Sequence, residues 1–239
     1  MFYFYKALKK LSFPFFALFV LFSSFAENSI INEEKIEKLE EEQFMIEKEF
    51  YISEIDEVIF QRIKGKSFKE NCTIPKEDLR YVHILHKNLE GQTLKGEIVC
   101  NKKIASILLD IFKELYKNNY PIQKVKLIDE YNGDDEKSMS DNNSSCFNFR
   151  FISYSKTLSN HAKGLAVDIN PLYNPYIKTL NGKKHIEPAC AEQFADRNKK
   201  FSYKIDENDL CYKLFTEAGF EWGGNWKNVK DYQHFEYIE

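Results

Sequence analysis

The chain has 239 residues, 43% hydrophobic and 30% charged, with a net charge of −3. That length and apolar share allow one substantial packed domain with extensions. The slight acidity leaves no basic footprint for nucleic acid, and nine glycines beside 21 Phe and 14 Tyr exclude a glycine-rich repeat.

Residues 1–26 stand apart. Lys6, Lys9 and Lys10 precede the apolar run "LSFPFFALFVLFSSFA", and no acid interrupts the segment. Ser24 and Ala26 give the small-x-small pattern of a cleavage point, so a secretory signal peptide is expected. An uncleaved anchor is the alternative. Pro14 and a run of about 15 apolar residues, against about 20 for a span, weigh against it. Export to the periplasm or cell envelope follows, and cleavage removes three lysines, taking the net charge from −3 to −6. The five cysteines, Cys72, Cys100, Cys146, Cys190 and Cys211, form no C-x-x-C pair. Two disulfides and one free thiol, or buried thiols acting as small hydrophobes, are equally compatible with this spacing.

Residues 27–59, with "EEKIEKLEEEQFMIEKEF", read as an acidic, solvated helical linker, and a globular domain is expected from about residue 60 to 239. "EDLRYVHILHKNL" alternates as a strand. Ile104, Leu108, Ile111, Leu115 and Tyr116 recur at helical spacing and predict a helix from about Lys102 to Asn118, with Pro121 beyond its end. "QKVKLID" reads as a strand, and "YNGDDEKSMSDNNSSC" as a polar loop. "FNFRFISY" predicts a strand with Asn148, Arg150 and Ile152 on one face and Phe147, Phe149 and Phe151 on the other. "ENDLCYKLFTEAGF" predicts a helix ended at Gly219, and "DYQHFEYI" a last strand. Strands and helices that do not alternate regularly give an α+β class.

The chemistry concentrates in "SNHAKGLAVDIN", residues 159–170. His161 stands seven residues before Asp168, which lies between Val167 and Ile169 in a run that reads as a buried strand. A buried carboxylate is costly unless paired or bound to a cation. Taken alone, the pair fits a structural His–Asp hydrogen bond best. "DYQHFEY" adds His234, with Asp231 three residues before it. Two histidines and one carboxylate form a set that binds catalytic zinc with one position left open to water. Asp231, close to a ligand without having to be one, is a candidate base. No H-E-x-x-H helix is present, so distant segments would have to assemble the site.

These motifs, "SNHAKGLAVDINPLYNPY" with "DYQHFEY", resemble the zinc D-alanyl-D-alanine carboxypeptidases and L-alanyl-D-glutamate peptidases. That group includes vancomycin-resistance D,D-peptidases and phage endolysins. Its pattern S-x-H-x-x-G-x-A-x-D, followed by a distant acid-x-x-H, is met by Ser159, His161, Gly164, Ala166, Asp168, Asp231 and His234. "GFEWGGNW" adds to the likeness, which covers roughly residues 60–239. The resemblance implies a single hedgehog/D,D-peptidase-like catalytic domain, α+β, with a small central antiparallel sheet and flanking helices. It implies one Zn²⁺ per chain held by His161, Asp168 and His234, Asp231 as general base, and Arg150 polarising the scissile carbonyl. Many relatives carry Glu where Asp231 stands.

Ser153, Ser159 and Tyr176 are candidate substrate contacts. Ser159 also suits a loop-stabilising role, and Tyr176 and Trp222 suit either cleft or core. His83 and His86 read as structural, His185 as solvated, and Cys146 lacks an activating base. The expected substrate is a peptidoglycan stem peptide, and a monomer without nucleic acid or a stable protein partner is expected. Carboxypeptidase action is favoured because export suits trimming of the cell's own wall. An endopeptidase, or a wall-binding protein without activity, is the alternative.

Overall fold

The computed structural model describes residues 36–37, 40–41, 43–152 and 155–238. The proposed signal segment, residues 1–26, and Ser153 lie outside the described residues. The chain divides into two units, Met1–Glu47 and Lys48–Glu239. In the first, residues 43–47 are helical, and the Gln43 amide donates to Glu47 at 2.9 Å. Among the described residues no helix is long and apolar enough to cross a membrane.

The second unit begins on a three-stranded antiparallel sheet in the order β1 (Tyr51–Glu54), β2 (Leu79–Lys87), β3 (Thr93–Asn101). Residues 48–59, placed in the linker by sequence alone, therefore belong to the fold: they supply β1 and most of the first turn of α1 (Glu57–Ile63). Glu-rich composition concealed this, because all four β1 residues are exposed and carry no apolar pattern. β2 is buried along nearly its whole length. Helix α2 (Ala105–Lys117) packs on it and buries Ala105, Leu108, Ile111, Phe112, Leu115 and Tyr116, the helical stripe expected from sequence. One apolar cluster joins Ile63, Leu79, Tyr81 and Val99 to Phe147, Phe149 and Ala162, the neighbour of His161.

Two predicted strands are corrected. "QKVKLID" is a strand only over β4 (Lys124–Val125), which pairs in parallel with β5 (Asn143–Ser144) beyond helix α3 (Asp135–Ser140). "FNFRFISY" joins no sheet beyond an isolated Phe151–Leu158 bridge. Its amides are taken up by three separate elements: Phe147 N–H donates to Val99, Asn148 to His161 and Phe149 to Ser67. The alternation also fails, since Asn148 is buried and Phe151 exposed.

Two further antiparallel sheets follow, so the expected central sheet is several small ones. One has the order β10 (Val229–Asp231), β7 (Tyr176–Leu180), β8 (Lys183–Glu187). The other has the order β6 (Ala166–Asp168), β11 (His234–Tyr237), β9 (Phe220–Trp222). Helix α4 (Leu210–Glu217) begins on Asp209, whose side chain accepts from the Cys211 N–H, and packs on β9. Phe215 stacks on Phe235 with ring centroids 4.5 Å apart. The predicted last strand is broken in two between Asp231 and His234. Within the described residues all five cysteines are free thiols, with Cys100, Cys146 and Cys211 buried. His83 and His86 are buried, each with Nδ1 on a backbone carbonyl, at Glu49 and Ile122.

Candidate metal centre and active-site cleft

Three of the predicted residues meet at one point. The β11–β6 register sets His234 directly opposite Asp168. His161 arrives on a 3-10 turn, Asn160–Lys163, whose first N–H groups need a cap. Ser159 supplies it, accepting from the His161 N–H at 3.2 Å. Gly164 ends the turn at φ 69°, where a Cβ would stand 2.6 Å from the Asn101 nitrogen. Only glycine lets the turn dock there on the end of β3.

The donor atoms form a near-equilateral triangle. His161 Nε2 lies 3.1 Å from His234 Nδ1, which lies 3.1 Å from Asp168 Oδ1, and the third side is 3.2 Å. Ligand atoms about 2.0–2.1 Å from one tetrahedral ion stand about 3.3–3.4 Å apart, so the triangle need open only slightly to hold one. The opposite ring nitrogens are engaged outside it. His161 Nδ1 is 2.6 Å from the Cys146 carbonyl, and His234 Nε2 is 3.2 Å from Glu236 Oε2. A ring N–H donated outward leaves the inner nitrogen's lone pair facing the centre, as ligation requires. All three residues are buried. The group can therefore hold a metal ion, and its N, N, O donor set suits zinc among other transition metals.

Electrostatics follow from that packing. Burial pushes the Asp168 carboxyl up, but the charges and hydrogen bonds of His161 and His234 outweigh it and hold the group well below the usual carboxylate range. Burial lowers His234, yet hydrogen bonds to Asp168 and Glu236 raise it to about 10. A metal ion there would have to displace that proton.

Asp231 ends β10, opposite Tyr176 on β7. Burial above all pushes its carboxyl up to about 7; His234 opposes this and Asp168 adds to it. Its Oδ1 is buried with no hydrogen-bond partner among the described residues. A carboxyl poised near neutrality and free on one oxygen can take and return a proton.

A cleft of about 660 Å³ opens over this group. Asp231, Arg150, Ser159 and Tyr176 line it together with the three donors. Arg150 is not a free cation: its Nε faces the Asp135 carboxylate in an ion pair that is not aligned as a hydrogen bond. Glu187, on β8, is raised by burial while the Arg150 charge pulls the other way. Trp222 is core, its indole N–H donating to the Tyr232 carbonyl, and Trp226 lines the cleft instead, 5.3 Å from the His234 ring. Sequence reasoning missed Glu236. It stands two residues after His234 in a strand, hence on the same face, so the period of two could have found it. It also accepts from Asn160 at 2.7 Å and so ties β11 to the turn that carries His161.

This arrangement, in an α+β domain, is of the class that metal-dependent hydrolases use. A family model described as D-alanyl-D-alanine carboxypeptidase matches residues 153–237, which bears out the resemblance drawn from the motifs and supports a peptidase. The match takes in His161, Asp168, Asp231 and His234 and stops short of Arg150. No curated protein and no solved structure matches the chain.

Proposed function

We propose that the protein is an exported zinc metallopeptidase that removes the terminal D-alanine from peptidoglycan stem peptides. The observation that supports this most is the buried triangle of His161, Asp168 and His234 at the foot of a cleft that Asp231 also lines. The family match, and the apolar segment at residues 1–26, add to it.

Bound by these three residues, zinc supplies Lewis acidity, which acidifies water and polarises a carbonyl. Asp231 takes the proton of the attacking water and returns it to the departing amine. Arg150 stabilises the negative charge that develops on the carbonyl oxygen, once substrate draws it from Asp135. Tyr176, Trp226 and Ser159 shape the cleft around the peptide, and Ser153 serves as a further substrate contact. Asp231 is the shorter of the two acids able to fill this role, and it stands at the end of β10, opposite Tyr176. The enzyme acts as a monomer and needs neither nucleic acid nor a protein partner.

The test is metal analysis and hydrolysis of a stem pentapeptide by the full chain, read by mass spectrometry beside Asp231→Asn. The expected result is about one zinc per chain, loss of one D-alanine, and a zinc-loaded variant slowed roughly 10²–10⁴-fold. Cleavage after L-alanine would replace the carboxypeptidase with an endopeptidase at the same site. Metal without cleavage would leave a wall-binding protein.

A further inference from the structure

Gln233 occupies the break between β10 and β11, with the proposed base Asp231 on one side and the donor His234 on the other. Its side chain is 2% exposed and lines the cleft. The backbone around it is held fast: the Ile169 N–H donates to the Gln233 carbonyl at 3.0 Å, and the Tyr232 carbonyl accepts the Trp222 indole N–H at 2.9 Å. Gln233 stands two residues from Asp231, and both line the cleft. The Gln233 amide oxygen, Oε1, is buried and has no partner among the described residues. Buried amide oxygens are nearly always satisfied, so an orphan on a residue that lines a cleft marks a place for an N–H that the protein does not supply.

Four of the carboxylates around the cleft are already engaged, and Asp231, whose Oδ1 is open, serves as the base. Asp168 belongs to the triangle, Glu236 receives His234 and Asn160, Asp135 faces Arg150, and Glu136 accepts the Ala189 N–H. An amide substrate brings two polar ends: a carbonyl oxygen that needs donors and an N–H that needs an acceptor. The Gln233 side chain and the Asp231 carboxyl line the same cleft. The proton returned by that carboxyl goes to the leaving nitrogen.

We propose that Gln233 Oε1 accepts the N–H of the scissile amide and holds the amine as it departs. The inference rests on the peptidase reading above. In the reaction the water oxygen bonds to the carbonyl carbon, the C–N bond breaks, and the nitrogen takes its proton from Asp231. Gln233 gains and loses no proton; it only accepts a hydrogen bond. An ester in place of the amide has no N–H and turns an oxygen lone pair toward Oε1, so Gln233 selects amide over ester.

The experiment compares wild type, Gln233→Met and Gln233→Glu as zinc-loaded full-length proteins. Each is given a stem pentapeptide and its matched ester analogue, with zinc content and Tm recorded. Methionine keeps the length and removes the acceptor; glutamate keeps it. Gln233→Met is expected to lower kcat/KM for the amide roughly 10- to 100-fold while leaving the ester within about threefold. Gln233→Glu is expected to keep the wild-type preference for the amide over the ester. Equal losses on both substrates would show that Gln233 acts only through Asp231 or through the fold, and would overturn the inference while the peptidase reading stands. An unchanged amide rate in Gln233→Met would overturn it too. If the zinc-loaded wild type cleaves neither substrate, the peptidase reading falls and takes this inference with it.

Discussion

Two antiparallel ladders in the molecule differ in length and in what they carry. The β2–β3 ladder runs through nine register pairs, from Leu79 opposite Asn101 to Lys87 opposite Thr93, and no residue of it lines the cleft. The β11–β6 ladder has three pairs, and from it come Asp168, His234 and Glu236. A three-residue pairing cannot hold itself. Its geometry comes from attachments: β9 on its other edge, Ser145 bridging Asp168, and the Gly164 turn docked on the last residue of β3. The chemistry thus sits on the less self-sufficient region. The longer ladder, which lies outside the family match, supplies the stiffness.

The largest effect should come from breaking the joint between the two. Gly164→Ala requires alanine at positive φ and drives its Cβ into the Asn101 backbone, which cannot move aside without unpairing β3. A loss of about 2–4 kcal/mol is expected, seen as a Tm lower by about 5–15 °C. The Asn101 N–H also donates to the Gly164 carbonyl, so His161 should shift with the turn and zinc affinity should fall. A lower Tm with unchanged zinc affinity would show that the two regions are not coupled through this contact.

A smaller effect, confined to the short ladder, is expected at Glu236. Its carboxylate holds His234 Nε2 and so aims Nδ1 at the centre. Glu236→Ala should weaken zinc binding about 10–100-fold in chelator competition, with Glu236→Gln losing less because an acceptor remains. Tm without metal should also fall by a few degrees, because Asn160 and His234 lose their shared acceptor. Equal zinc affinity in wild type and Glu236→Ala would remove its orienting role.

How much of this was legible in the sequence follows the same division. The triangle could be read because each donor sits next to a pattern: a capped turn with an obligate glycine for His161, and apolar runs around Asp168 and His234. Helix α2 could be read because its stripe is regular. The Arg150 segment could not. Phe147 and Phe149 face the core as alternation suggests, yet their amides pair with β3 and with Ser67, contacts made across long sequence separations. Asp135, Arg150's partner, looked like part of a polar loop, and nothing local says that the loop folds into a helix beside the cleft. Trp222 and Trp226 are four residues apart, and only the tertiary fold decides which one is core.

The smallest expected effect separates the long ladder from the chemistry altogether. Glu97 on β3 accepts both Nη atoms of Arg62, at 2.6 and 2.7 Å, and the Tyr81 hydroxyl at 2.7 Å. The Arg62 hydrogen bonds, only partly offset by burial, hold its carboxyl below the usual range. A folded pKa below the unfolded value, about 4.3, gives stabilisation that is complete above that value and lost as pH falls through the lowered one. Arg62 is partly exposed, so solvent screening limits the pair to about 1 kcal/mol. Glu97→Gln should therefore lower Tm at pH 7 by about 2–4 °C, and the gap should narrow as pH drops below about 4. Zinc affinity and peptide hydrolysis should stay at the wild-type level, because the change touches a sheet that braces the site without lining it. A fall in zinc affinity as steep as the Glu236 variant's would mean that the long ladder sets the triangle directly and does more than brace it.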